Sequence, residues 1–166
     1  MVKKLAPPIV LLTPYLLVAA LYFPEFAAWF NTLVNGLWIE VALAIACAVW
    51  FFSLYAVQTS AWGEKAYALW NLILKLAHLP FYACMVLIIL ASPAYIFLMF
   101  WPIAMTVTAT GLYGIRAITI LQKRDQVGKY FVLVHMISCY LPGFDAVSAL
   151  VIHNKVKTLS AVETDK

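Results

Sequence analysis

Chemistry in this sequence is confined to a few ionisable side chains set inside apolar runs: Glu40, Lys75, His78, Arg116, His135 and Asp145. An ionised group at the centre of a bilayer costs on the order of 2.5–3.5 kcal/mol on insertion scales, so each must be paired, snorkel or serve a function. Asn71, Lys75, His78 and Tyr82 recur at i, i+4, i+7 and i+11, which places them on one helix face. His135, Ser138, Pro142 and Asp145 recur at i, i+3, i+7 and i+10, again a single face. Thr106, Thr110 and Tyr113 form a milder stripe, with Arg116 about one turn from the end of its run. Polar faces in lipid turn towards one another. Lys75, Arg116 and His135 are then expected to converge as a basic inner pocket with Asp145 as counter-ion. Such a pocket suits an anionic solute, a lipid headgroup phosphate or a proton relay. The expected ligand-binding set is Asn71, Lys75, His78, Tyr82, Arg116, His135 and Asp145.

Each of these residues also has a purely structural reading. Lys75 and Arg116 can snorkel their heads to the interface. His78 can hydrogen-bond inside its bundle, and Asp145 can cap a helix that starts after Pro142–Gly143. Catalytic arrangements are missing from the sequence: it has no phosphate-binding glycine loop, HExxH, GxSxG or carboxylate pair at a helical step. No enzyme, cofactor or metal is expected. Cys47, Cys84 and Cys139 each stand alone in apolar surroundings, as small buried residues do.

The elements that must position these side chains follow from composition. Of 166 residues, 66% are hydrophobic and only 11% charged, and the mean hydropathy is +0.95. A soluble domain carries about 25% charged residues, so this chain cannot cover a water-facing surface. An ordinary soluble globule, a disordered chain and a coiled coil are excluded. The expected fold is all-α: a transmembrane bundle of five hydrophobic helices, near 5–23, 37–57, 67–90, 94–121 and 129–152. An interfacial helix over 24–35 carries Phe26, Trp29, Phe30 and Leu33 on one stripe. Residues 1–154 then form one membrane domain, and 155–166 a polar tail.

The eleven Lys and Arg against seven Asp and Glu give a net charge of +4. They cluster at the ends of apolar runs: Lys3 and Lys4, Lys123 and Arg124, Lys155 and Lys157. A nucleic-acid binder would gather them into a surface stripe, so no nucleic acid is expected. Loops at 24–36 and at Ser92–Pro93 hold no Lys or Arg, while the N-terminus and the loops with Lys65 and with Lys123 and Arg124 are positive. By the positive-inside rule the N-terminus is cytoplasmic in a multi-pass cell-membrane protein. A fifth full span would strand Lys155 and Lys157 outside. A helix–break–helix hairpin at Pro142–Gly143 would return them and leave four full spans. Charge placement favours the hairpin, but the apolar length suffices for a span, so five full helices are the preferred expectation.

The stretch from Asn71 through Lys75 and His78 to Pro80 resembles one found in uncharacterised small multi-span bacterial membrane proteins. So does Asp145-Ala-Val-Ser148-Ala149 running into Lys155 and Lys157. That resemblance implies an integral membrane protein with four spans and a re-entrant last element, and implies no activity. The leading functional expectation is binding or transport of a small solute, ion or lipid headgroup between the third, fourth and fifth helices. The alternative is a non-catalytic accessory or scaffold subunit, held to a membrane protein partner or a second copy through aromatic and small-residue faces.

Overall fold

The long apolar runs form helices, some of them with Pro or Gly inside, and polar turns separate them. The structure, a computed structural model, describes residues 6–22, 28, 32, 38–91 and 96–164. Six helices are present and no strand, among the described residues. They are α1 (Ala6–Tyr22), α2 (Trp38–Thr59), α3 (Glu64–Ala91), α4 (Ile96–Lys123), α5 (Lys129–Ser138) and α6 (Phe144–Thr164). Two stretches, Glu64–Leu90 and Ile103–Lys123, are long and apolar enough to cross a membrane; Ala6–Leu16, Cys47–Thr59 and Lys129–Ser138 are shorter apolar helical stretches. The interfacial helix expected over 24–35 and the break at Ser92–Pro93 lie outside the described residues, except for helical Ala28 and Thr32.

The last apolar run, expected to be broken at Pro142–Gly143, is divided there and does not form one full-length helix. Residues 129–152 divide into α5 and the start of α6, separated by residues 139–143. Pro142 supplies no N–H to a helical ladder. Gly143 turns the chain at φ +89°, a conformation that L side chains rarely adopt. Its N–H donates to Asp145 Oδ1 at 3.0 Å, so the acid that starts α6 also ties down the break. The two helices form a hairpin: His135 meets Ser148, and Val132 shares an apolar cluster with Ile152 and Val156. Beyond residue 154, α6 continues as helix to Thr164, within the stretch expected to be a tail.

α3 and α4 pack against each other at the centre. The hairpin lies on them through α6 against α3 and α4 and α5 against α4, while α2 packs on α4, and α1 touches α2, α3 and α4. The main cluster draws Tyr67 and Leu74 from α3, Tyr113, Ile118 and Leu121 from α4, and Ile152 from α6. Phe81, Tyr82, Met85 and Val107 form a second cluster farther along α3.

Candidate functional site

The α3 face expected from periodicity is buried as one row. Asn71, Lys75 and His78 are fully buried and Tyr82 nearly so. Lys75 is eleven residues into α3, about 16 Å from its start, which is roughly half the thickness of a hydrocarbon core. Opposite it stands Asp145, also fully buried, with Oδ2 2.8 Å from the ammonium. Lys75 Nζ also donates to the carbonyl of Cys139 at 3.1 Å and to that of Val107 at 3.3 Å. The ammonium thus donates to two backbone carbonyls and is paired in charge with Asp145, whose Oδ2 accepts no hydrogen bond.

Both charges sit where helix ends favour them. Cys139 is the C-cap residue of α5, so the ammonium meets the partly negative end of that helix. Asp145 lies in the first turn of α6, at its partly positive end. The chain break thus points two half-helix ends at one depth, and α3 supplies the cation that holds them.

Two glycines of α4 make room for the break. A Cβ on Gly111 would lie 3.2 Å from the Cys139 carbonyl oxygen. On Gly114 it would lie 2.9 Å from both Cys139 Sγ and Asn71 Nδ2. Close packing is therefore the role of both positions.

Around the neutralised pair lies a set of buried polar atoms without hydrogen-bond partners: both amide atoms of Asn71, both ring nitrogens of His78 and the hydroxyl of Tyr82. Tyr82 faces Asp145 and Thr110. His78 faces the backbone of Val10 and Leu11 on α1 and stacks with Tyr15, ring centroids 6.1 Å apart. Pro14 lacks the N–H that would otherwise bond the Val10 carbonyl. Pro80 frees a carbonyl of α3 similarly, and beside it the Tyr15 hydroxyl donates to the Ala77 carbonyl. Two proline-interrupted helices thus meet through an aromatic and imidazole contact.

The expected convergence of three cations is not what the structure holds. Arg116 is nine residues beyond Val107, about 13 Å along α4 and half a turn around it. It is half-buried and leaves Nε without a partner. His135, one turn before Cys139, shares a hydrogen bond with Ser148 Oγ at 2.9 Å through Nδ1 and lies against Phe131, with ring centroids 4.2 Å apart. Ser148 Oγ is in turn 3.9 Å from Cys139 Sγ. Lys75 is neutralised by Asp145, so the centre is a closed ion pair rather than a basic pocket. The Cys139 carbonyl was not among the expected site atoms. Its signal was indirect: the glycines at 111 and 114 mark where foreign backbone approaches α4.

No group of three or more metal-ligating side chains occurs among the described residues. Family models, curated proteins and solved structures contain no match to this chain.

Proposed function

We propose that this chain is an integral membrane protein that binds a small uncharged, hydrogen-bonding solute beside the Lys75–Asp145 pair, between α3, α4 and the α5–α6 hairpin. One observation carries the reading: a charge-balanced, fully buried pair flanked along α3 by buried polar atoms of Asn71, His78 and Tyr82 that have no partner. A buried polar group left unpaired costs about 1–3 kcal/mol, so these atoms call for a guest that can donate and accept. An anion is disfavoured, because the only fully buried cation among the described residues already has its carboxylate. Broken helices whose ends meet at mid-depth are a recurrent way to build such a site in membrane transporters.

The membrane arrangement that fits is four spans with α5–α6 as a re-entrant hairpin, and both chain ends cytoplasmic. The hairpin returns Lys155 and Lys157 to the end that carries Lys65, Lys123, Arg124 and Lys129, as the positive-inside rule requires. A reporter fused at the C-terminus tests it: green fluorescent protein should fluoresce there and alkaline phosphatase should be inactive. Active phosphatase would overturn the hairpin and restore a fifth span.

A second reading, a non-catalytic scaffold, is favoured by the engagement of Lys75 with Asp145 and with the carbonyls of Cys139 and Val107, which ties three helices together. Native mass spectrometry of the purified protein with Tyr82→Phe and Asn71→Leu separates the two. Under the binding reading the wild type retains a small neutral adduct that both variants lose. If the wild type retains none, and Tyr82→Phe raises the melting temperature by removing an unpaired hydroxyl, the site is empty and the scaffold reading stands.

A further inference from the structure

The open end of the hairpin carries a second feature, away from the buried pair. Three segments distant in sequence meet there: the start of α3, the turn between α4 and α5, and the second half of α6. Arg124 Nη1 donates to Glu64 Oε1 at 2.8 Å, tying the first two together. Leu121, Val132, Ile152 and Val156 are buried in one cluster, with Val127 and Leu159 packed against it, which joins the third. From Ser138 back to Lys129 is about 14 Å of helix, and from Phe144 on to Lys155 about 17 Å. Lys129 and Lys155 therefore end at similar depth.

This end gathers Lys65, Lys123, Arg124, Lys129, Lys155 and Lys157 against two acids, Glu64 and Asp125. Lys65, Lys123, Lys129 and Lys157 are exposed. Arg124 is the one rim cation joined in an ion pair between described side chains. Beside Lys129 the turn forms an open cleft of about 380 Å³, lined also by Gln122, Asp125, Gln126, Val127 and Gly128. Tyr130 is 80% exposed at the same level, and Trp62 is half-buried there. Aromatic rings beside a row of lysines are the pattern of the headgroup layer.

We infer that this rim is a binding surface for anionic phospholipid headgroups, with Lys123, Lys129, Lys155 and Lys157 as its phosphate-facing cations. It rests on the membrane reading above and is separate from the solute site. Each lysine close to an anionic leaflet strengthens attachment about five-fold, and the attraction fades within a Debye length as salt is added.

The test is reconstitution into vesicles of phosphatidylcholine with phosphatidylglycerol, followed by polymer extraction and quantification of the lipids that stay with the protein. Phosphatidylglycerol should be enriched several-fold over the starting mixture. Rising salt should reduce that enrichment, and K123Q/K129Q/K155Q/K157Q should abolish it. At matched ionic strength, inorganic phosphate should reduce it no more than chloride does, since a free ion lacks the acyl chains that hold the headgroup at the rim. Displacement by phosphate at low concentration would mean a soluble anion site and overturn the lipid assignment. A chain that inserts but extracts the two lipids in their starting ratio, or a quadruple variant that keeps the enrichment, would overturn it as well. Failure to enter vesicles at all is a different result, and it strikes the membrane reading itself. Lys65→Gln, which leaves all four phosphate-facing lysines in place, should retain the enrichment, and an unchanged melting temperature of the quadruple variant shows that its loss is not misfolding.

Discussion

The pairs Lys75–Asp145 and Arg124–Glu64 both close at 2.8 Å, yet the first is wholly buried while the second has Arg124 49% and Glu64 13% exposed. Their consequences diverge because of the surrounding medium. At the surface, water screens the attraction and hydrates either partner when the pair opens, so an exposed pair contributes roughly 0–1 kcal/mol. In the interior neither charge has water to fall back on. Removing one partner leaves the other buried and uncompensated, at a loss of about 3–5 kcal/mol, even when an apolar pair of the same volume would serve as well. Distance alone is therefore a poor guide to what an ion pair does. The inner pair decides whether the hairpin can lie against α3 and α4, and the outer one only adjusts how two loops meet.

The largest effect should come from breaking the inner pair. Asp145→Ala is expected to lower stability by about 3–5 kcal/mol in detergent unfolding experiments followed by tryptophan fluorescence. It also removes the acceptor for the Gly143 N–H, so the turn at 139–143 should loosen. Cys139, fully buried in the intact protein, provides a native reporter of that loosening. With Cys47 and Cys84 replaced by alanine, maleimide labelling of Cys139 should be slow in the parent and fast in Asp145→Ala. Lys75→Met combined with Asp145→Leu should recover most of the stability and the protection. A loss below about 1 kcal/mol for Asp145→Ala would mean that water reaches the pair, and the contrast between the two pairs would collapse.

Next in size is Gly114→Ala. The added methyl would meet Asn71 and Cys139 Sγ at 2.9 Å, so α4 and the break must move apart. Overpacking of this kind costs about 1–3 kcal/mol. Gly111→Ala, whose nearest contact is 3.2 Å, should cost less. The order of the two melting temperatures checks this. Equal, negligible shifts would show that the hairpin is not seated as closely as the inner pair requires.

How much of this was legible in the sequence depends on what periodicity can carry. A 3.6-residue repeat reports which side chains share a face, and it placed Asn71, Lys75, His78 and Tyr82 together, where the structure buries all four. It also marked Asp145 as the nearest acid. Periodicity does not report how one helix is rotated or shifted against another, so Arg116 and His135 were drawn towards Lys75, although their own helices carry them elsewhere. Nor could it choose between a spanning fifth helix and a hairpin, because the apolar length of 129–152 permits both. Pro142 and Gly143 held the local signal for the break, and the lysines at 155 and 157 held the global one. Backbone acceptors leave no mark in composition at all. The carbonyls of Cys139 and Val107, which accept from Lys75, are brought to it only by the folded arrangement of α4 and the break.

The smallest effect, and the sharpest control on the comparison, belongs to the outer pair. Arg124→Ala should change stability by no more than about 1 kcal/mol. Whatever change occurs should shrink as salt rises from low to about 0.5 M, because an arginine that is half exposed is open to counter-ions. Asp145→Ala measured across the same series should hold its loss, since no salt ion reaches a carboxylate with no exposed surface. Salt response thus separates the two pairs even where their raw stabilities overlap within error. If Arg124→Ala proved as damaging as Asp145→Ala and insensitive to salt, the junction of the α2–α3 and α4–α5 turns would be a second buried anchor. The hairpin would then be held at both its tip and its open end. The small expected effect instead leaves the open end free to adjust, while the tip stays fixed by Lys75.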